Sequence, residues 1–194
     1  LDQQGNYQNP TLGIGFQVPE GWLVQELKKT QPSAPDIAVV APYSGGFTPS
    51  ISLTVEKANG TSLNDFLENK KSQIVRDAQS QNVSFLSEQD RTINGYNAKI
   101  VILRENFISL GQNIVIKFKD IFIFANDHFY TLTYANDEKN FDSSISNYNS
   151  LLNSITLTNE ENFLGTKTSF AIGAIGAAVA TGAILVIRKK KKRS

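Results

Sequence analysis

The sequence has no cysteine and one histidine among 194 residues. The first absence excludes disulfide staples, thiolate zinc or iron–sulfur centres and cysteine nucleophiles, and the second removes most imidazole chemistry. A basic stripe is missing as well. Residues 1–166 carry 12 Lys and Arg against 18 Asp and Glu, a net charge of −6. Such an acidic body offers phosphate backbones no electrostatic footprint, so no nucleic-acid partner is expected. There is no internal repeat and no low-complexity segment. What remains is a chain that is 40% hydrophobic, enough for one packed domain plus something small.

The small part is at the C-terminal end. Residues 170–187, FAIGAIGAAVATGAILVI, contain no charge. As a helix they would span about 27 Å, close to the hydrocarbon thickness of a bilayer. Arg188, Lys189, Lys190, Lys191, Lys192 and Arg193 follow at once, against Lys167 alone before the run. The positive-inside rule then puts the tail in the cytoplasm and the body outside. The expected organisation is an extracytoplasmic domain over 1–158, a linker over 159–168, a single membrane-spanning helix over 169–187 and a basic cytoplasmic tail over 188–194. The opening Leu1-Asp2-Gln3-Gln4 carries no apolar leader, which fits a mature chain whose signal peptide has been removed. Asn59-Gly60-Thr61 and Asn82-Val83-Ser84 are glycosylation triplets that suit an exported domain.

Ser169, Gly173, Ala177 and Thr181 recur every four residues in the apolar run. This small-residue stripe is the pattern by which membrane helices pack closely, so other integral membrane subunits are the expected partners, a lone and weakly hydrophobic anchor being the alternative.

The body alternates. Strands are expected over 13–18, 22–27, 36–41, 50–57, 85–92, 96–106, 113–125 and 129–134, with a short one over 154–157. Turns at Pro19-Glu20-Gly21, Ser44-Gly45-Gly46, Ile93-Asn94-Gly95 and Asn126-Asp127 favour antiparallel hairpins. Ser62 opens a helical stripe of Leu63, Phe66, Leu67, Ile74 and Ala78. A second stripe, Ile145, Tyr148, Leu151 and Leu152, is to be capped by Asp142 or a neighbouring Ser. Four strands, a helix, four strands and a helix make an α+β domain, an antiparallel sheet flanked by helices.

Chemistry-bearing residues are few. His128, beside Asn126 and Asp127, is either a solvated turn residue or a metal ligand. A Ser-His-Asp triad would have to use it, but no G-x-S-x-G elbow accompanies it. Asn136, Asp137, Glu138 and Asp142 offer hard oxygens without the order of a calcium loop. Glu20 and Asp36 are scattered. No catalytic residue, metal site or cofactor is therefore expected, and the protein is read as a non-enzyme. Glu161-Asn162-Phe163-Leu164-Gly165 stands where some archaeal surface proteins carry a Pro-Glu-Phe-Gly sorting motif, but it lacks the proline and the contiguous Glu-Phe-Gly.

Tyr7, Asn9, Gly13, Ile14, Phe16, Pro19, Gly21 and Trp22 spell Y-x-N-x3-G-I-x-F-x2-P-x-G-W. Ile93-Asn94-Gly95 with Ala98, then Tyr130-Thr131-Leu132-Thr133-Tyr134 and Phe141, follow in order. Over about residues 7–157 this resembles the PsbP family, the extrinsic photosystem II protein and its non-photosynthetic prokaryotic relatives, exported archaeal ones included. The resemblance implies a Mog1/PsbP-like α/β/α sandwich and an accessory-subunit role. The matched residues themselves read as packing and turn positions, with Phe16 and Trp22 in the core. The function expected is a membrane-anchored accessory subunit that docks on and stabilises a larger membrane complex, a respiratory or metabolite-oxidising one for example. The alternative is a free-standing cell-surface binding module.

Overall fold

A computed structural model describes residues 2, 5–29, 31, 33–43, 47–77, 83–109 and 112–158. The elements in chain order are β1 (Asn6–Asn9), β2 (Ile14–Gln17), β3 (Leu23–Glu26), β4 (Ile37–Val40), β5 (Ser50–Lys57), α1 (Leu63–Asp77), β6 (Val83–Ile93), β7 (Tyr96–Ser109), β8 (Gln112–Ala125), β9 (His128–Asp137), α2 (Phe141–Asn153) and β10 (Thr156–Leu157). Five strands precede α1 rather than four, because Asn6–Asn9 pairs along β2. Its one buried apolar side chain, Tyr7, leaves no alternation to read.

Seven strands form one sheet in the order β3-β4-β5-β9-β8-β7-β6, and β1-β2-β10 form a second. Every pairing is antiparallel. Alternation along the long strands makes two cores. Phe118, Phe122, Phe129 and Leu103 face α1, whose Phe66, Leu67 and Ile74 close over them. Phe66 stacks on Phe129 with ring centroids 3.9 Å apart and meets Phe122 edge-on. Ile121, Ile123, Tyr130, Leu132 and Tyr134 face the other way, toward α2 and the small sheet, where Phe16, Trp22, Tyr148 and Leu151 join them. The expected antiparallel sheet between helices is thus present, with a second small sheet sharing the α2 layer.

Ser62 caps α1 as its position predicts. Its hydroxyl oxygen accepts the Asp65 N–H at 3.1 Å and its O–H donates to the Asp65 carboxylate at 2.7 Å. At α2 the expectation of Asp142 or a serine is corrected: Asn140 holds the cap position with no side-chain cap bond. The Asn140 amide is already committed to Asp137 Oδ2 at 2.9 Å, and Asp142 lies inside the first turn, where its charge meets the helix dipole instead.

Gly15 is fixed by a close approach. A Cβ there would stand 2.8 Å from Thr156 Oγ1 and 3.3 Å from the Tyr7 carbonyl, so only glycine lets β1 and β10 flank β2.

Candidate functional site

The residues that leave the body converge at one end of the sheet. Thr156 and Leu157 pair with Gly15 and Ile14, and the Thr158 N–H donates to the Gly13 carbonyl at 3.0 Å. Two hairpin turns reach over to hold the same stretch. The Asn94 side chain, in the β6–β7 turn, donates to the Ile155 carbonyl. The Asn126 side chain, in the β8–β9 turn, donates to the Thr158 carbonyl at 2.8 Å. Both asparagines have positive φ, 50° and 52°, which tight hairpin turns require and asparagine tolerates. Their choice of residue therefore serves the turn and the exit together. Beside them, the Ala58 N–H donates to the Asp127 carbonyl at 2.8 Å, so the β5–α1 connection, with Asn59, belongs to this same turn end.

His128 opens β9 at this end. It is half-buried, and its Nδ1–H donates to the Asn126 carbonyl at 2.7 Å. The imidazole stays partly exposed and braces the turn. Asn136, Asp137, Glu138 and Asp142 do fall on one connection, but local donors take up their oxygens. Asn136 Oδ1 accepts the Asp137 N–H, and Asp137 accepts the Asn140 N–H and side-chain amide at 2.9 Å each. Glu138 lies 3.7 Å from Arg104 and Asp142 3.9 Å from Lys117. Asp36 binds the Val55 N–H at 2.8 Å and Lys29 at 2.9 Å, while Glu20 is exposed in its turn. Among the described residues, no three His, Asp or Glu side chains come together to hold a metal.

A polar layer that the sequence reading missed lies between α1 and the sheet. Asp120 is buried on the α1 face between Phe118 and Phe122. Burial pushes its carboxyl up to about 6, against weaker opposing effects of the Thr133 hydroxyl and Lys70. Asp120 Oδ1, Thr131 Oγ1 and Gln73 Oε1 have no hydrogen-bond partner. Lys70 of α1 reaches down to Glu56 at 2.6 Å and sits 5.0 Å over the Phe66 ring. A cavity of about 250 Å³ opens beside this pair, lined by Thr61, Asn69, Gln73 and Arg76 among others. The signal was present in the sequence: an aspartate at an inward position of the alternation Phe118, Asp120, Phe122.

On the small sheet, Tyr7 donates its hydroxyl to Glu26 at 2.6 Å. Burial, reinforced by that bond, pushes the phenol up to about 12.

Asn59 is exposed on the turn end with φ 50°. Asn82, the stripe of Ser169, Gly173, Ala177 and Thr181, and the cations from Arg188 to Arg193 lie outside the described residues. Among the described residues no helix is long and apolar enough to cross a membrane.

Two antiparallel sheets, with one helix on each face of the larger, define an α/β/α sandwich of the Mog1/PsbP kind. No protein-family model and no curated protein matches the sequence. Solved structures do. The chain is similar to the solution structure of cyanobacterial PsbP (CyanoP) from Synechocystis, with a TM-score of 0.57, 14% identity, and coverage of 78% of this chain and 91% of that one. It is similar also to the Saccharomyces cerevisiae Ran-binding protein Mog1p, with a TM-score of 0.52, 14% identity, and coverage of 81% and 97%. At these identities the likeness is one of fold.

Proposed function

We propose that this protein is a non-catalytic, membrane-anchored accessory subunit. Its sandwich stands on the extracytoplasmic face, and its helix over 169–187 packs through Ser169, Gly173, Ala177 and Thr181 against integral subunits of a larger complex, of a respiratory or metabolite-oxidising kind. The observation that carries the reading is the uncharged run 170–187 ended by six cations, joined to the body by some ten residues. The fold supports it. A PsbP-like sandwich is the architecture of CyanoP, and here the chemistry-bearing residues of the body are spent on turns, caps and ion pairs rather than on a shared cleft. The reading includes a cell-membrane location and glycan acceptors at Asn59 and Asn82.

Gentle detergent extraction of native membranes, native-gel separation and mass spectrometry test it. The wild-type chain is to migrate at constant ratio with polytopic subunits, and Gly173→Leu is to release it from them while leaving it in the membrane fraction. Co-migration that survives the substitution refutes docking through the stripe.

A free-standing surface binding module is the second reading, favoured by the polar cavity beneath α1. Migration of the wild-type chain alone in the same gel supports that one.

A further inference from the structure

The body is acidic, yet the fold sorts its charges by face. Side chains alternate across a sheet, so the register of β6, β7 and β8 assigns each one. The α1 face receives Glu88, Asp90, Glu105 and Asp120, with Lys99 the one cation among them. The α2 face receives Arg91, Arg104, Lys117 and Lys119 and, from the described residues of these three strands, no carboxylate. Two carboxylates reach that face from other elements. Glu138 of the β9–α2 connection lies 3.7 Å from Arg104, and Asp142 of α2 lies 3.9 Å from Lys117. Both contacts are long and both acids exposed, where ion pairs contribute little. Lys119 has an amide instead, Asn149 Oδ1 at 3.2 Å, and stands 5.3 Å over the Tyr148 ring. Burial lowers its pKa and the charge of Arg91 lowers it further, so the field here is positive. Arg91 itself is exposed and makes no ion pair among the described residues.

These cations frame a strip beside α2. That helix packs on β9 and β2, and next to it the sheet presents Ser87 and Gln89 of β6 with Ile100 and Ile102 of β7. Ile102 stands between Ser87 and Lys119, is only half-buried, and joins neither core. Arg91 is opposite Ala98, and from there to Arg104 is six residues of β7, about 20 Å. A compact anion would occupy one end of so long a strip and gain nothing from Ile102. An extended protein segment uses both the spread of the charges and the apolar side chain between them.

We propose that this strip, over β6 and β7 alongside α2, docks an acidic, amphipathic segment of a partner protein. Carboxylates of the segment pair with Arg91, Lys119 and Arg104, and an apolar side chain between them covers Ile102. The occupant lies beside α2 and extends the layer on that face of the sheet. The acidic α1 face repels the same segment, so the charge pattern selects the side of the sandwich as well as the partner. The surface belongs to the body and uses no residue of 169–187, so the inference stands whether or not the small-residue stripe docks.

The absence of native cysteine makes the test clean. The full chain in micelles of a zwitterionic detergent carries an environment-sensitive dye on Gln89→Cys at the strip or, as control, on Ser72→Cys of α1. The probe is a helical peptide of glutamate and leucine, set against its counterpart with lysine for glutamate. The acidic peptide is to shift the Gln89→Cys dye saturably and leave the Ser72→Cys dye unmoved, and the basic one is to do neither. Replacing Arg91, Arg104 and Lys119 together by Gln is to weaken binding at least tenfold. Replacing the exposed Lys28, Lys57 and Arg76 by Gln removes the same charge elsewhere and is to change it less than twofold. Arg91→Gln with Arg104→Gln touches only exposed side chains, leaves the urea midpoint in place, and is to weaken binding about threefold. Equal losses in the two triple variants, or a response to the basic peptide, overturn the proposal. A dye shift with phosphatidylglycerol in the micelles and none with the peptide makes a membrane surface the occupant and overturns it as well.

Discussion

Asp120 and Thr133 stand directly opposite each other in the β8–β9 ladder, and the threonine hydroxyl serves a carboxyl whose Oδ1 has no partner. Its acidity, moved from 3.8 to about 6 by burial, makes it a pH-dependent load on the fold. Below pH 4 the group is protonated in both folded and unfolded chains. Between pH 4 and 6 the unfolded chain ionises and the folded one does not, so stability from this group falls as pH rises, then levels off. The total is about 3 kcal/mol at 1.4 kcal/mol per unit. Asp120→Asn is therefore expected to flatten urea midpoints between pH 4 and 6.5 and to leave the variant more stable than wild type at pH 7. A variant less stable than wild type at pH 7 refutes the idea that burial outweighs what Thr133 and Lys70 give the carboxylate.

The Lys70–Glu56 pair is nearly out of solvent, with side chains 14% and 19% exposed. Lys70→Met leaves a shielded carboxylate without its cation and is expected to cost about 2–3 kcal/mol. Lys70→Met with Glu56→Gln is to recover most of that loss. Chemical denaturation of the four-member cycle measures it, and additive single effects count against a coupled pair.

Gly15→Val places a branched side chain where Thr156 Oγ1 and the Tyr7 carbonyl already sit. The expected loss is about 2–3 kcal/mol. Amide exchange is to accelerate first at Thr156 and Thr158, because the two-residue β10 is the weakest of the three strands around that glycine. Exchange rising first in β5 or β9 instead would show that the strain is relieved elsewhere.

Asn126→Gly keeps the positive-φ turn but removes the amide that holds Thr158. Stability is expected to fall by about 1 kcal/mol or less. Proteolysis next to residue 158 is nevertheless to quicken several-fold. An unchanged cleavage rate means that the β10 pairing alone fixes the exit.

The long elements were readable because their alternation is dictated by burial on both faces of one sheet. Residues 50–57 emerge with the bounds expected, since Ile51, Leu53 and Val55 alternate with the small or polar Ser50, Ser52, Thr54 and Glu56, even though Ser50, Ser52 and Thr54 are themselves buried on the other face. The turns at Asn94-Gly95 and Asn126-Asp127 were legible for a local reason: their residue types tolerate positive φ. What escaped was tertiary. The strand Asn6–Asn9 has its identity from β2 alongside it, and the α2 cap from Asp137, whose carboxylate takes the Asn140 N–H and side-chain amide and so orients that side chain. The half-buried state of His128 depends on a carbonyl two residues away that only the folded turn presents. Asp120 was legible as a misfit in its strand, but its surroundings are tertiary: Thr133 comes from β9, and Lys70 from α1.

The pinned exit also determines how the domain bears mechanical load. A pull on the chain beyond Thr158, directed away from the turn end, runs along the β10–β2 ladder. Its two paired residues, the Gly13 carbonyl and the two asparagine amides are then strained in parallel rather than one after another. The amides carry part of that force sideways into the β6–β7 and β8–β9 hairpins of the large sheet. Tension applied beyond Thr158 is thus shared between the two sheets rather than borne by the β1-β2-β10 unit alone.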